Sequence, residues 1–452
     1  MKKIISLVLI VVVLLSITLI PNKWFKKEEE KIYTLSATVL SIENNTITVQ
    51  DDEDNIYTFY SDNLLTTVGD RVVIEYAGLI DKDKIIQDNE IKNLTITEKA
   101  EEKDPIPDYL QDNGIFKDYY IMAYNKLEEL SIDEKIGQLL LGRYPGSSAI
   151  SDIETYHLGG FVLFQKDFSG KTKEQVINFI NEFQESAPIP LLTAVDEEGG
   201  TVVRISSNPK LADSPFASPR KLYAEGGFEL IKEDTIKKSN LLKDLGLNVN
   251  LAPVVDVSTN PNDYMYYRSL GQNSALTSEF ASLVINTSKG TGVSYVLKHF
   301  PGYGNNTDTH TGSSRDAREY DDILNNDIPP FKAGIDAGAE AIMVSHNIVT
   351  SIDGTNPASL SPEIHNLLRD ELGFTGVIIT DDLAMGATSS ITTASVDAVL
   401  AGNDLLITTD YKKSFNDIKE AYNNGTISEE IINKAAFRIL AWKYYKGLMI
   451  EK

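Results

Sequence analysis

The sequence predicts an α/β fold whose core is a (β/α)8 barrel of the TIM type, preceded by a small β-barrel-like module and an N-terminal membrane segment. Two observations predict the barrel. Eight short apolar runs follow one another along the second part of the chain, and helix-like segments lie between most of them. Eight such units favour closure into a barrel, and a doubly wound open sheet is the alternative.

Residues 1–22 have the composition of a membrane segment. Lys2 and Lys3 precede an apolar run from Ile4 to Ile20, whose length is at the lower limit for crossing a bilayer. No small-x-small cleavage motif follows the run, so an uncleaved signal-anchor is favoured over a cleaved signal peptide. We expect the remaining chain to lie at the extracellular face of the cell membrane or to be secreted.

Residues 33–98 are predicted to form a small β module. Short runs of alternating apolar and polar residues are separated by turns rich in Asn, Asp and Gly, and an OB-type barrel is one interpretation. The module is rich in acidic residues and the whole chain has a net charge of -24, which argues against a nucleic-acid partner. Residues 99–117 have the charged, proline-bearing composition of a linker, and residues 118–452 would form the barrel domain.

The barrel prediction depends on apolar runs of strand length. Helical spacing of apolar residues lies between them, and Ser361 followed by Pro362 is a typical helix start, with Gly373 as the stop. The eight strand candidates are Ile136–Gly142, Gly160–Phe164, Leu191–Val195, Val249–Val255, Ser294–His299, Ala341–Ser345, Gly376–Thr380 and Asp404–Thr408.

Polar residues follow these runs at the strand ends, where barrel enzymes have their active sites. A single such residue is usually a turn or cap residue, but carboxylates, imidazoles and a lysine from several strand ends indicate a site. A metal site is disfavoured, because the chain has no cysteine, no zinc-type His pair and no EF-hand loop. The strand-end residues are Asp196, Glu197, Glu198, Asp256, Lys298, His299, Ser345, His346, Asp381 and Asp382.

The loop after the fifth predicted strand contains a second pattern. Asp308 and His310 stand two residues apart in a segment rich in glycine and small polar residues. A carboxylate beside an imidazole can fix its tautomer and raise its basicity, and histidine transfers protons near neutral pH.

These residues carry a resemblance to a known family. The segment KHFPGYGNNTDTH (Lys298–His310) resembles the KHFPGHG…D-x-H signature of glycoside hydrolase family 3, in its β-N-acetylglucosaminidase branch. Three further segments resemble that family in the same order: DEEGGTVVR (Asp196–Arg204), NPNDYMYYRSLG (Asn260–Gly271) and GFTGVIITDDLAMGA (Gly373–Ala387). The resemblance covers roughly residues 119–452.

The resemblance implies a retaining hydrolase for terminal, non-reducing β-N-acetylglucosamine of peptidoglycan fragments or related glycans. Asp381 would be the nucleophile, and His310, oriented by Asp308, would be the acid/base in place of the usual second carboxylate. No metal and no organic cofactor is implied. The residues that would bind the sugar hydroxyls and the N-acetyl group are Asp196, Arg204, Arg268, Lys298 and His299.

The sequence departs from the family pattern at several positions. Tyr303 stands where a second histidine is usual, Glu197 replaces a glutamine, and the loop between Gly304 and Asp308 is one residue shorter. Related alternatives are a β-glucosidase or β-xylosidase and an N-acetylglucosaminide phosphorylase; the Asp-x-His pair favours the N-acetylhexosaminidase. Alternatives of another class are an inactive carbohydrate-binding protein, which predicts the loss of catalytic groups that this chain retains, and a membrane-anchored scaffold.

Overall fold

The computed structural model describes residues 32–43, 46–60, 66–77, 85–86, 91–98, 106–306, 308–309 and 312–449. The chain forms two compact units, divided between Pro105 and Ile106. Within the described ranges no helix combines the length and the apolar character needed to cross a membrane. The predicted membrane segment, residues 1–22, lies outside those ranges.

The first unit is a six-stranded sheet with the order β5-β3-β2-β1-β4-β6. Neighbouring strands are antiparallel, except for the parallel pair β3 and β5. Alternate side chains such as Val39, Val49 and Ile74 are buried in its core, as period-two patterning predicts. The OB interpretation stays a prediction. The strands are β1 (Ile32–Glu43), β2 (Thr46–Asp51), β3 (Ile56–Tyr60), β4 (Arg71–Ala77), β5 (Ile85–Ile86) and β6 (Ile91–Glu98).

The second unit confirms the predicted barrel. Eight parallel strands lie in the order β15-β13-β11-β10-β9-β8-β7-β16, and a bridge from Ile379 to Leu405 links the two outermost strands. Strands β12 and β14 form a separate two-stranded ribbon. The strands are β7 (Leu140–Arg143), β8 (Gly160–Leu163), β9 (Leu192–Val195), β10 (Val249–Asn250), β11 (Ser294–Phe300), β12 (Arg315–Asp316), β13 (Ala341–Val344), β14 (Ile348–Val349), β15 (Val377–Thr380) and β16 (Leu406–Thr408).

Helices cover the outside of the barrel. Gly227, at φ 62, interrupts the long helix α6, and the N-caps of several others are serine, threonine or asparagine side chains. The helices are α1 (Tyr120–Glu129), α2 (Ile132–Gln138), α3 (Ala149–Tyr156), α4 (Gln165–Phe168), α5 (Lys173–Ser186), α6 (Pro219–Asp244), α7 (Ser274–Ser288), α8 (Tyr320–Asn326), α9 (Ile328–Asp336), α10 (Pro362–Asn366), α11 (Ala394–Ala401), α12 (Tyr411–Asn423) and α13 (Glu429–Tyr445).

Two of the predicted strands are wrong in extent. The first was expected to begin at Ile136, but that residue lies in α2, because Ser131 and Glu134 form a capping box that starts a helix there. The fourth was expected to run from Val249 to Val255, but only two residues pair regularly. Pro253 has no N–H for the ladder, and Val254 rejoins the sheet through a bridge to Lys298.

The second half of the predicted linker belongs to the barrel unit. Phe116 is fully buried and its ring lies 5.3 Å from that of Tyr445 on the last helix. Asp112 accepts a hydrogen bond of 3.2 Å from Arg438, which also pairs with Asp404 at 2.6 Å. Residues 106–117 therefore belong to the second compact unit, which begins at Ile106.

Candidate active site

The residues predicted from the strand ends do converge at one face of the barrel. Because all eight strands are parallel, their carboxyl ends meet at the same end of the barrel. Asp196 directly follows β9, Lys298 and His299 lie in the last part of β11, and Asp381 directly follows β15.

A buried network of alternating charges forms one side of the site. Lys298 Nζ lies 2.7 Å from Asp196 Oδ1 and 2.6 Å from Glu198 Oε1. The same Glu198 carboxylate accepts two hydrogen bonds from Arg268, from Nε at 3.0 Å and from Nη2 at 2.7 Å. Glu198 is therefore the centre of the network and holds both cations in fixed positions, as a bidentate pair does.

The charges of this network stabilise one another. Burial alone would raise the pKa of Glu198, but Arg268 and Lys298 outweigh it and hold that pKa far below its ordinary value. Burial likewise would lower the pKa of Lys298, and the carboxylates of Asp196 and Glu198 raise it instead. Both groups are therefore charged at neutral pH, so the site offers charge-assisted hydrogen bonds to the hydroxyls of a ligand.

His299 is oriented by a carboxylate from another strand end. Its Nδ1 lies 2.8 Å from Asp256 Oδ2, and its Nε2 lies 3.4 Å from Arg268 Nη2. Asp256 also accepts the backbone N–H of Tyr303 at 2.7 Å. This one buried carboxylate therefore positions an imidazole of the site and the start of the following loop.

The two adjacent aspartates after β15 have different environments. Asp382 binds Thr409 through both carboxylate oxygens, Oδ1 at 3.2 Å from the backbone N–H and Oδ2 at 2.9 Å from the hydroxyl, and its Oδ1 also accepts the Ala384 amide. Asp381 accepts a bond of 2.8 Å from the Asp382 amide at Oδ1. Asp382 thus holds its loop through three hydrogen bonds, whereas among the described contacts Asp381 accepts one, at Oδ1.

Asp381 is ionised at neutral pH. Burial would raise its pKa, but the imidazoles of His346 and His299, the Asp382 amide and the Lys298 ammonium together lower that pKa below its ordinary value. The Nε2 atom of His346 lies 3.0 Å from the Asp382 carbonyl oxygen, which can only accept, so this nitrogen carries a proton. His346 therefore supports the turn on which Asp381 lies.

The loop after β11 places Asp308 near Tyr264, which lies on the same segment of chain as Arg268. Burial and the Asp308 carboxylate raise the pKa of Tyr264, and Arg268 opposes this rise. Gly302 has a φ of 120°, and a Cβ there would lie 2.4 Å from the Cβ of Asp327, so only glycine fits. The predicted acid/base, His310, lies outside the described residues.

Arg204 lies on the loop after β9 but takes no part in the charge network among the described contacts. Its guanidinium is 5.8 Å from the centre of the Phe164 ring, and its buried Nε has no hydrogen-bond partner there. The neighbouring Glu197 accepts the amides of Arg204 and Ile205 at 2.8 Å each. Glu197 thus shapes this loop, and Arg204 retains donors for a ligand.

Sequence reasoning noted Glu198, Asp256 and His346 at strand ends but assigned them no role. One signal was present for Glu198: it stands two residues after Asp196 in extended chain, so the two side chains point to the same side and both reach Lys298. The partners of Asp256 and His346 are 43 and 36 residues away, and nothing in the sequence indicates them.

Across the described part of the chain, no group of three or more His, Asp or Glu side chains is arranged to hold a metal ion. The site instead combines one reactive carboxylate with cations fixed by buried carboxylates. This arrangement suits a polyhydroxylated ligand and an attack at a saturated carbon, the chemistry of a glycoside hydrolase.

Comparison with known proteins identifies the family. Residues 131–442 match the model of the glycosyl hydrolase family 3 N-terminal domain. This match covers more than half of the chain and includes every described site residue. The chain belongs to glycosyl hydrolase family 3 and is a glycoside hydrolase.

Three relatives illustrate the match. A protein named beta-hexosaminidase from Xanthomonas campestris pv. campestris is 33% identical over 237 residues, which are 52% of this chain and 70% of the relative. Beta-hexosaminidase LpqI from Mycobacterium tuberculosis is 29% identical over 333 residues, 70% of this chain and 83% of the relative. The structure of a family 3 beta-N-acetylglucosaminidase from Paenibacillus sp. has a TM-score of 0.67 and 30% identity, covering 72% of this chain and 64% of that chain.

Proposed function

We propose that this protein is a retaining β-N-acetylhexosaminidase that removes terminal, non-reducing β-N-acetylglucosamine from peptidoglycan fragments or related glycans. The names of the relatives support the sugar, and the geometry supports the reaction. The observation that carries the proposal is the contrast between the two aspartates after β15. Asp382 is occupied by Thr409 and Ala384, while the ionised Asp381 presents its carboxylate beside the network of Lys298 and His299.

In the proposed first step, an Asp381 oxygen attacks the anomeric carbon while the bond to the leaving oxygen breaks. His310, paired with Asp308, donates a proton to that oxygen, and a covalent glycosyl-enzyme forms. In the second step, His310 takes a proton from water, the water oxygen attacks the anomeric carbon, and Asp381 is released as a carboxylate.

The proposed sugar-binding residues are Asp196, Arg204, Arg268, Lys298 and His299. Lys298 and Arg268 are fixed by Glu198 before any ligand binds, so little reorganisation is needed when the sugar enters. The hydroxyl groups are neutral, and hydrogen bonds to them from ionised groups are stronger than neutral ones. Bonds of this kind raise the rate when they strengthen in the transition state.

The experiment compares hydrolysis of an aryl β-N-acetylglucosaminide with that of the matching aryl β-glucoside by the purified full-length chain. The wild-type chain is expected to prefer the N-acetyl sugar strongly, and Asp381→Ala is expected to hydrolyse neither substrate. Asp382→Asn is the control at the neighbouring residue, and its hydrolysis should fall only as far as its folded stability falls. A preference for the glucoside would overturn the substrate assignment, and near-normal turnover by Asp381→Ala would overturn the nucleophile.

We also propose that residues 1–22 anchor this enzyme at the outer face of the cell membrane. The positive start followed by an apolar run supports this location. Fractionation of cells that express the full chain should recover it with membranes and accessible to external protease. Recovery of an intact chain from the cytoplasm would contradict the proposal.

A further inference from the structure

Thr309, which lies between Asp308 and His310 in the chain, is held by several hydrogen bonds. Thr309 is fully buried, although it lies in a loop. Its amide donates to the Tyr303 hydroxyl oxygen at 3.0 Å, and its own hydroxyl lies 2.7 Å from that same oxygen. Its carbonyl oxygen accepts the Ala387 amide at 3.1 Å. All three polar groups of Thr309 are therefore bound.

The partners of Thr309 connect two loops of the site. Ala387 belongs to the loop after β15, which begins with Asp381, and Tyr303 belongs to the loop after β11, which contains Asp308. Through Thr309, the loop with the proposed acid/base pair is bonded directly to the loop with the proposed nucleophile. This connection ties Thr309, the neighbour of Asp308, to the loop that carries Asp381.

Tyr303 is itself rigidly placed. Its backbone N–H donates to Asp256, the carboxylate that orients His299. Its ring packs against Val254 and Met265 in a small buried cluster and lies 5.6 Å from the ring of Tyr264. Burial, despite the bonds to Thr309, raises the pKa of Tyr303, so the phenol keeps its proton and can donate it to the Thr309 hydroxyl while it accepts the amide.

We propose that Tyr303 is a positioning residue. Its two hydrogen bonds to Thr309, here called the latch, hold Asp308 and His310 at the distance from Asp381 that proton transfer to the leaving group requires. This inference rests on the proposed function. Tyr303 stands at the position where the family pattern has a second histidine, which has no phenol hydroxyl to make these two bonds. Tyr264 packs beside Tyr303, with their ring centres 5.6 Å apart.

The test removes one oxygen atom. Tyr303→Phe keeps the packed ring and deletes both bonds to Thr309. Proton donation matters for a sugar leaving group and little for dinitrophenolate, which departs unaided. We expect kcat/KM, which reports formation of the glycosyl-enzyme, to fall by about tenfold or more on N,N′-diacetylchitobiose. On the dinitrophenyl β-N-acetylglucosaminide, kcat/KM should fall by less than about threefold.

Two further variants make the result specific. Thr309→Val keeps the amide and the side-chain shape but loses the hydroxyl, and it should show the same selective loss. Combined with Tyr303→Phe, it should add little, because Tyr303→Phe already removes the bond between the two hydroxyls. Tyr295→Phe is the matched control: its hydroxyl is also buried in the barrel and binds Ser239 at 3.1 Å, away from the dyad, so its effect on the two substrates should be equal.

The outcomes separate the latch from the proposed function. Equal losses on both substrates in Tyr303→Phe, or no loss on either, would overturn the latch while the proposed function stands. Failure of the wild-type chain to hydrolyse either N-acetyl substrate would overturn the proposed function and the latch with it. If Tyr303→Phe does not fold, a substrate-independent effect of Thr309→Val would overturn the latch.

Discussion

The charge network predicts that Glu198→Gln damages both stability and catalysis. Glu198 is buried, and its carboxylate holds Arg268 through two hydrogen bonds and Lys298 at 2.6 Å. Removal of one partner from a buried ion pair leaves an uncompensated charge and costs about 3–5 kcal/mol. Asp196 remains for Lys298, so we expect about 3 kcal/mol, at the low end of that range.

Urea denaturation followed by the fluorescence of Trp442 measures this loss, because Trp442 is fully buried in the barrel core. A loss of about 3 kcal/mol should move the midpoint by roughly 1 M urea. Glu129→Gln is the control, since Glu129 pairs with Lys126 at 3.0 Å but is 61% exposed, and an exposed pair contributes only about 0.2–1 kcal/mol. Equal midpoints for the two variants would refute the reasoning.

The same carboxylate predicts a dependence on pH. The pKa of Glu198 in the folded state is far below its value of 4.5 in the unfolded chain, because Arg268 and Lys298 favour the charged form despite burial. The stabilisation of the folded state by ionised Glu198 is therefore complete above about pH 4.5, and it is lost as the pH falls towards the folded-state pKa. The difference in unfolding free energy between wild type and Glu198→Gln should be constant from pH 8 to about pH 5 and shrink below it. A difference that grows on acidification would contradict this.

Three other predictions concern the remaining site residues. Arg204→Ala should lower kcat/KM by about 10–100-fold with little change in the urea midpoint, because its buried Nε loses no protein partner; a large fall in stability would argue for a structural role. His310→Ala should reduce kcat/KM for a substrate with a sugar leaving group by about 100-fold or more and kcat/KM for a dinitrophenyl glycoside far less, whereas equal losses would exclude acid catalysis. Since the pKa of Asp381 lies below its ordinary value of 3.8, kcat/KM should not fall between pH 7 and about pH 5, and a loss with a midpoint near pH 6 would contradict the ionised nucleophile.

Much of the fold was predictable because barrel strands are short, buried and separated by helices. All eight strand candidates overlap an observed strand, and Ser361 caps its helix by accepting the Ile364 amide as expected. The errors occurred where a local signal opposed the apolar pattern. A capping box converted the start of the first candidate into α2, and Pro253 interrupted the fourth.

The site was predictable in its residues and less so in its geometry. Motif resemblance selected Asp381 over Asp382, but the sequence offers no physical reason, since both are acidic residues after one strand. That reason is the binding of Asp382 by Thr409, which is 27 residues away in the chain. The central position of Glu198 likewise depends on Arg268, 70 residues away, so only the folded chain reveals it.

The chemistry at Asp381 is the central claim, and trapping the covalent intermediate tests it most directly. A slow 5-fluoro analogue of N-acetylglucosaminyl fluoride would be incubated with the full-length chain, which would then be digested and analysed by mass spectrometry. We predict the mass of one fluorinated sugar on the peptide that contains Asp381, and none in Asp381→Asn. Turnover without any adduct, or an adduct on a peptide that lacks Asp381, would contradict the account.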